Sequence, residues 1–532
     1  MKIKSIQEYY KWVILLPLFL VGLGMRVIGF DWGGRSVYQA DEAKLVDPVL
    51  VMAGNHSLIS GNYYYPNQFL SKIQALVLIV LRFFNIVGVK DEIYGYWVCR
   101  IVTALCGTVT ILIVYLIGEK LKENVGLISV ALFSVSPSMI IMSKQVTGDV
   151  GALFGSAITV LFALKYIEER KIRFVVLMSL GTAMSMMEKW HGGGGTVFIA
   201  FIIILCSRTM KDIFYGAIVA LISFVGGVFL IAPNVILDYR NAFINGFLKI
   251  AVYKGEKGPG YVANLGNYLQ WGYLHVGGFL YVTAVLVGIV IIVSRRDKRY
   301  CVLSIGIIKV LELCVLNRSF PRWGLELYFS EIICIAITLQ WMLSNKNYTC
   351  KVAGGLILSI IVVEGLSASL CIDLVAVRNN QDVRAMQEGF CCERGIVAED
   401  TISAKYSAFQ PGGIRSDGVA EEAKEGWENV LTYKKGVIGR TCNKDYFVWT
   451  ACCGSVQEIM DYLERKDLCI WSMKTDYNDI FFNPIWRIDH SWNDFSLIKN
   501  NIVAFLSIKK GAVLGLYDIK IYDISSIPVT SF

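Results

Sequence analysis

The chain has 532 residues, of which 55% are hydrophobic and only 18% charged, and its mean hydropathy is +0.53. A soluble domain carries about 25% charged residues, so composition excludes an ordinary soluble protein and places the chain in a membrane. The formal charge of +8 does not point to nucleic acid, because the excess Lys and Arg sit mostly in short loops between apolar runs, as the positive-inside rule describes.

In chain order, a polar, basic start is followed by the apolar run Trp12–Ile28. That run is long enough to span, and it reads as an uncleaved first helix. Further spanning segments are predicted near 97–117, 124–142, 150–167, 173–188, 195–206, 213–232, 272–294, 300–316, 325–343 and 352–371, about eleven in all by hydropathy. The apolar stretch 69–88 is ambiguous, and loop charge decides it. If it stays at the surface, one side of the membrane collects Lys2, Lys4 and Lys11; Lys120 and Lys122; Arg170, Lys171 and Arg173; Arg208 and Lys211; Arg295, Arg296, Lys298 and Arg299; and Lys346 and Lys351. That side is cytoplasmic. Residues 69–88 are therefore read as an interfacial helix, with Arg82 reaching toward head groups.

This topology puts the N-terminus inside. It puts loop 30–96, loop 233–271 and the tail outside. The expected division is a transmembrane catalytic domain, 1–371, with interfacial helices in loop 30–96, and an extracytoplasmic α/β domain, 372–532. In the tail, Ile502–Ile508 and Ala512–Ile524 have strand composition. Of the 14 cysteines, Cys391, Cys392, Cys442, Cys452, Cys453 and Cys469 lie in the tail, where an oxidising compartment would permit a disulfide. No CxxC pair supports a zinc site. His56, His191, His275 and His490 lack metal-ligand spacing.

The residues able to carry chemistry fall in the outer loops. Asp41 and Glu42 follow the first helix. A carboxylate there can take a proton from an acceptor hydroxyl, and adjacent carboxylates raise one another's pKa; an ordinary solvated pair is the plain alternative. Tyr63, Tyr64, Tyr65 and Pro66 precede the interfacial stretch and fit either an aromatic belt or a stacking surface for a sugar. Asp149, between two apolar runs, is a costly site for a charge and so often functional, or else a turn or N-cap residue. Lys189 and His191 in Glu188-Lys189-Trp190-His191-Gly192 could hold a phosphate, with the glycines allowing close approach; a snorkelling lysine in a flexible turn fits equally. Arg318 and Arg322 sit in an outer turn against the positive-inside trend. A guanidinium suits a phosphate oxyanion, and an interfacial anchor is the alternative.

Taken together, the first helix, Asp41-Glu42, Tyr65-Pro66 and Asp149 resemble the GT-C membrane glycosyltransferases. The resemblance is to the phospholipid-carrier-dependent group related to the dolichyl-phosphate-mannose protein mannosyltransferases and the lipid A aminoarabinose transferases. Gly181-Thr182-Ala183 through Lys189, Pro233 through Asp238, the Arg322 turn and Gln381-Asp382-Val383-Arg384 extend it. Two features depart from that group: Tyr65-Pro66-Asn67 stands where the aminoarabinose transferases carry a lysine-diproline element, and Ala40 stands where proline is common.

The resemblance implies an inverting transfer of a monosaccharide from a polyprenyl-phosphate carrier to a protein, lipid or glycan hydroxyl. Asp41 would be the base, Glu42 its orienting neighbour and Asp149 a positioning group. Tyr65, Lys189, His191, Arg318 and Arg322 would bind substrate, with no cofactor and no metal. A transporter or flippase for lipid-linked sugars is the alternative; it would place ionisable residues in mid-helix, whereas the candidate charges lie in outer loops. A receptor-like protein would leave the loop carboxylates unexplained.

Overall fold

The computed structural model describes residues 2–31, 42–61, 67–88, 92–244, 260–276, 278–316, 321–377, 383–396, 401–403, 431–434, 437–440, 445–450, 457–473 and 519–529. The expectations for Asp41, Tyr65, Arg318, Cys442, Cys452, Cys453 and the run 502–508 lie outside the described residues. The chain forms two compact units. One comprises residues 1–30, 45–370 and 490–501; the other comprises 31–44, 371–489 and 502–532.

The first unit is helical. Its helices are α1 (Lys2–Val27), α2 (Glu42–Gly54), α3 (Gln68–Phe83), α4 (Glu92–Leu121), α5 (Val125–Ser134), α6 (Pro137–Ser143), α7 (Gly148–Glu169), α8 (Ile172–Glu188), α9 (Gly195–Cys206), α10 (Met210–Ile231), α11 (Pro233–Leu237), α12 (Tyr261–Val276), α13 (Gly278–Arg295), α14 (Ser304–Cys314), α15 (Leu325–Leu343) and α16 (Tyr348–Val377). All the predicted spanning segments fall on helix. Six helices among the described residues, α1, α4, α7, α10, α15 and α16, are long and apolar enough to cross a membrane. α5 and α6, bent by 60° at their junction, pass the same measure only when taken together, as a broken span or a re-entrant loop. The remaining segments fall on α8, α9, α13 and α14, which are not among those six.

Burial separates these helices by role. In α15, Leu325 through Gln340 are all buried, as expected of a helix that is hydrophobic all round and central. On α10 and α16, Phe214, Leu221, Leu230, Leu356 and Val363 are exposed, which suits contact with lipid chains. α3 buries Gln68, Leu70, Ser71, Gln74, Ala75 and Leu78 along one face. It leaves Ile73, Leu76 and Val80 on the other.

The α5–α6 bend frees carbonyls that apolar surroundings cannot satisfy. Fully buried Arg26 of α1 supplies the donors, to the carbonyls of Phe133 at 3.2 Å and Ser134 at 3.4 Å. Ser369 of α16 donates to the carbonyl of Val135 at 3.0 Å. A capping box opens α10: Thr209 Oγ1 accepts from the Asp212 amide at 3.2 Å, and the Asp212 carboxylate accepts from the Thr209 amide at 3.1 Å.

The second unit carries α17 (Val383–Arg394), α18 (Gln457–Arg465) and short strands. The strands are β1 (Thr401–Ser403), β2 (Leu431–Lys434), β3 (Val437–Arg440), β4 (Tyr446–Thr450), β5 (Cys469–Met473) and β6 (Ile519–Asp523). A sheet of order β1-β4-β6-β5 is parallel between β1 and β4 and otherwise antiparallel, while β2 and β3 form a separate hairpin. Phe447, Leu463, Ile521 and Tyr522 fill its core. Cys391, Cys392 and Cys469 are free thiols.

Candidate active site

The site is organised by the end of α8. Glu188, its last residue, is fully buried. Its Oε1 accepts hydrogen bonds from the amides of Phe69 at 2.6 Å and Leu70 at 2.7 Å. Its main-chain carbonyl accepts from the Asn67 amide at 3.1 Å. The first amides of a helix have no partners within it and carry partial positive charge. A carboxylate from a distant helix therefore caps α3 and locks its start against α8. The approach is close because α7 offers glycine there. A side chain at Gly148 would overlap the Glu188 carbonyl, and one at Gly151 would overlap the Glu188 carboxylate.

Beside this latch, Asp149 occupies the first turn of α7 and is 2% exposed. Lys189 Nζ lies 3.3 Å from Asp149 Oδ2. Neither Asp149 oxygen accepts a hydrogen bond among the described residues, and the same holds for Glu188 Oε2. Thr147 Oγ1, both polar atoms of the Asn67 side chain, Trp190 Nε1 and His191 Nε2 are likewise buried and without hydrogen-bond partners there. Buried polar groups are satisfied in the great majority of cases. Asn67, Thr147–Asp149 and Glu188–His191 bring several such exceptions together in one stretch of the fold.

Past Lys189 the chain makes a 3-10 turn, Trp190–Gly194, and enters a second polar cluster. Lys309 of α14 and Glu326 of α15 are both 3% exposed in their side chains and pair at 2.6 Å. Lys309 Nζ also donates to the His191 carbonyl at 2.5 Å and to Glu312 at 3.0 Å. Glu326 Oε1 accepts from Ser185 at 3.0 Å and from Ser156. His191 Nδ1 is 3.7 Å from Glu326 Oε2, and its ring is 5.9 Å from that of Trp323. Apart from His191 Nε2, the members of this cluster pair with one another, Glu326 Oε2 through its ion pair with Lys309, and they tie α7, α8, α14 and α15 to the turn. Among the described residues, no group of three or more His, Cys, Asp or Glu is placed to hold a metal ion.

Three comparisons bear on this arrangement. The sequence model of the dolichyl-phosphate-mannose-protein mannosyltransferases matches residues 77–236, which include Asp149, Glu188, Lys189 and His191. The crystal structure of ArnT from Cupriavidus metallidurans, bound to undecaprenyl phosphate, aligns with TM-score 0.53 and 12% identity. The alignment covers 83% of this chain and 92% of that one. The fold is GT-C. The oligosaccharyltransferase of Archaeoglobus fulgidus, tethered with an acceptor peptide, aligns with TM-score 0.47 and 11% identity over 83% of this chain and 69% of that one. No curated protein matches by sequence.

On the GT-C frame the sequence-predicted residues fall as follows. Asp149 and Lys189 meet directly. His191 follows them on the turn but engages Lys309 and Glu326. Arg322, partly exposed, stands on the 3-10 turn Pro321–Gly324 beside Trp323. Glu42 is buried at the start of α2.

Of the glycines after His191, Gly193 leaves room for a side chain, whereas a side chain on Gly192 would overlap Ser185 and one on Gly194 would come 2.5 Å from Glu312 Oε2. Gly192 and Gly194 are needed for the turn to pack on α8 and α14. Beyond the candidate charges placed in loops, Lys309 and Glu326 lie inside predicted spanning segments. The sequence signal for that pair was available, since a charge within an apolar run is costly and rarely idle. Asn67 and Glu188 carried no such signal, since their roles depend on contacts between distant segments.

Proposed function

We propose that this protein is an integral membrane glycosyltransferase that moves a monosaccharide from a polyprenyl-phosphate carrier to an acceptor hydroxyl on the outer face of the membrane. One observation carries the reading: the Asp149–Lys189 pair sits among buried, unsatisfied polar atoms in a GT-C fold. A lipid-linked donor is supported by the undecaprenyl phosphate bound to the ArnT neighbour.

In this reading the carboxylate of Asp41 takes the proton of the acceptor hydroxyl. The acceptor oxygen bonds to the anomeric carbon from the face opposite the phosphate, the carbon–oxygen bond to phosphate breaks, and the configuration inverts. Glu42 orients Asp41. The bonding electrons leave on the phosphate, which departs without needing a proton. Its growing charge is met by Lys189 and by the arginines of the 318–322 turn, since cations aimed at developing charge stabilise the transition state. Lys189 can serve because its bond to Asp149 is a single ion pair at 3.3 Å, which a phosphate can share. Asp149 then keeps the lysine in place and offers an acceptor to a sugar or acceptor hydroxyl. Basic loops at the far end of the bundle support the cytoplasmic assignment of the N-terminus, and with it the outer position of residues 372–532.

The test is to incubate the purified protein with a panel of undecaprenyl-phosphate sugars and identify released carrier and product by mass spectrometry. Asp41→Asn is expected to abolish transfer while expression and lipid binding stay near normal. Turnover retained by this variant would remove Asp41 from the role of base.

A further inference from the structure

Asn67 combines three features that its ordinary role does not explain. It is the N-cap of α3, where an asparagine side chain normally accepts from the helix's own amides. It makes no such bond, because Glu188 takes those amides instead. Its side chain is thereby released from capping, yet the residue is only 2% exposed, and neither its Nδ2 nor its Oδ1 has a hydrogen-bond partner among the described residues. Its backbone is held at φ 74°, in the left-handed region. Holding a polar residue buried, unpaired and in that conformation is costly on each count.

Its neighbours narrow the ligand. Its main chain lies against Gly148, between Thr147 and Asp149, whose side-chain oxygens are also unsatisfied. A carboxamide offers a donor and an acceptor on one plane, a hydroxyl offers both, and a carboxylate only accepts. With Asp149 paired to Lys189 at 3.3 Å and Glu188 bound to the amides of α3, this wall carries little net charge. It complements a neutral group that carries several hydroxyls.

We propose that Asn67, with Thr147 and Asp149, forms the hydroxyl-reading wall of the sugar subsite, and that Asn67 gives the site its preference for sugar-bearing lipid over the bare carrier. This deepens the transferase reading and rests on it for the identity of the sugar-bearing lipid.

The test uses the full chain in detergent micelles. It competes undecaprenyl phosphate against its glucosyl, galactosyl, mannosyl and arabinosyl derivatives and counts bound lipid by native mass spectrometry. The wild type is expected to retain at least one sugar-bearing lipid about tenfold or more over the bare carrier, as one or two well-made buried hydrogen bonds allow. Asn67→Gly should bring that ratio close to one. Glycine suits the positive φ, so the variant should unfold at the wild-type temperature. Asn85→Gly, the same change at an exposed positive-φ site beyond the other end of α3, should leave the ratio alone. Equal retention of bare and sugar-bearing lipid by the wild type overturns the proposal, as does a preference that survives in Asn67→Gly. Transfer is read separately. A wild type that prefers sugar-bearing lipid through Asn67 but transfers nothing would sink the transferase reading and leave the subsite standing.

Discussion

Two polar clusters share the stretch Glu188–His191 and differ in one respect. On one side, Lys309, Glu326, Glu312, Ser156 and Ser185 satisfy one another and the turn. On the other, Asp149, Asn67 and Thr147 are as deeply buried, yet most of their side-chain polar atoms have no hydrogen bond among the described residues. Closed networks hold helices in place, whereas open ones are costly for the fold and persist where a ligand completes them. The difference fits the proposed reading, in which the first cluster serves stability and the second chemistry.

The largest effect should come from opening the closed cluster. Lys309→Ala would leave Glu326 buried with two hydroxyls and His191 as its nearest partners. Removing one member of a buried pair costs about 3–5 kcal/mol, so thermal unfolding in detergent should fall sharply. Replacing both Lys309 and Glu326 with Met should recover most of the loss, since the cost lies in the orphaned charge. A Lys309→Ala protein as stable as wild type would show that this pair does not hold the bundle.

The open cluster should respond chiefly in turnover. Lys189→Ala removes the cation proposed to meet the leaving phosphate, and losing such a group typically costs about a hundredfold or more in turnover. Some stability should be lost as well, because Asp149 stays buried and loses its ion pair at 3.3 Å, so turnover is read per folded molecule. The comparison collapses if turnover per folded molecule is unchanged while the unfolding temperature drops.

What could be read in advance follows the same line. The helices were legible because apolar runs of spanning length have few alternatives in a membrane. Asp149, Lys189, His191 and Arg322 stood out because they interrupt those runs near loops. The α5–α6 bend was hidden inside one predicted segment, 124–142, although Pro137 marks where the second helix starts. Arg26 gave no hint that it satisfies the carbonyls of that bend. Asn67 was visible only as a departure from a lysine-diproline element. Its release from capping depends on Glu188, which reaches it from the far end of α8, and no local pattern encodes that contact.

The smallest effect is expected at the other end of α7. Lys120 pairs with Glu168 at 2.6 Å, with both side chains about 30% exposed. Glu168 lies nineteen residues beyond Asp149, roughly 28 Å along a helix rising 1.5 Å per residue. A cavity of about 530 Å³ there is lined by Lys120, Lys122, Glu119, Glu123, Arg295 and Asp297, among others. None of these residues takes part in the Asp149–Lys189 cluster. Solvent and salt screen such pairs, which are worth about 0.2–1 kcal/mol. Lys120→Ala should therefore shift unfolding by no more than that and leave turnover at the wild-type rate. A tenfold loss of turnover in Lys120→Ala would mean that the two ends of α7 are coupled, and the division between closed and open clusters would no longer account for where the chemistry sits.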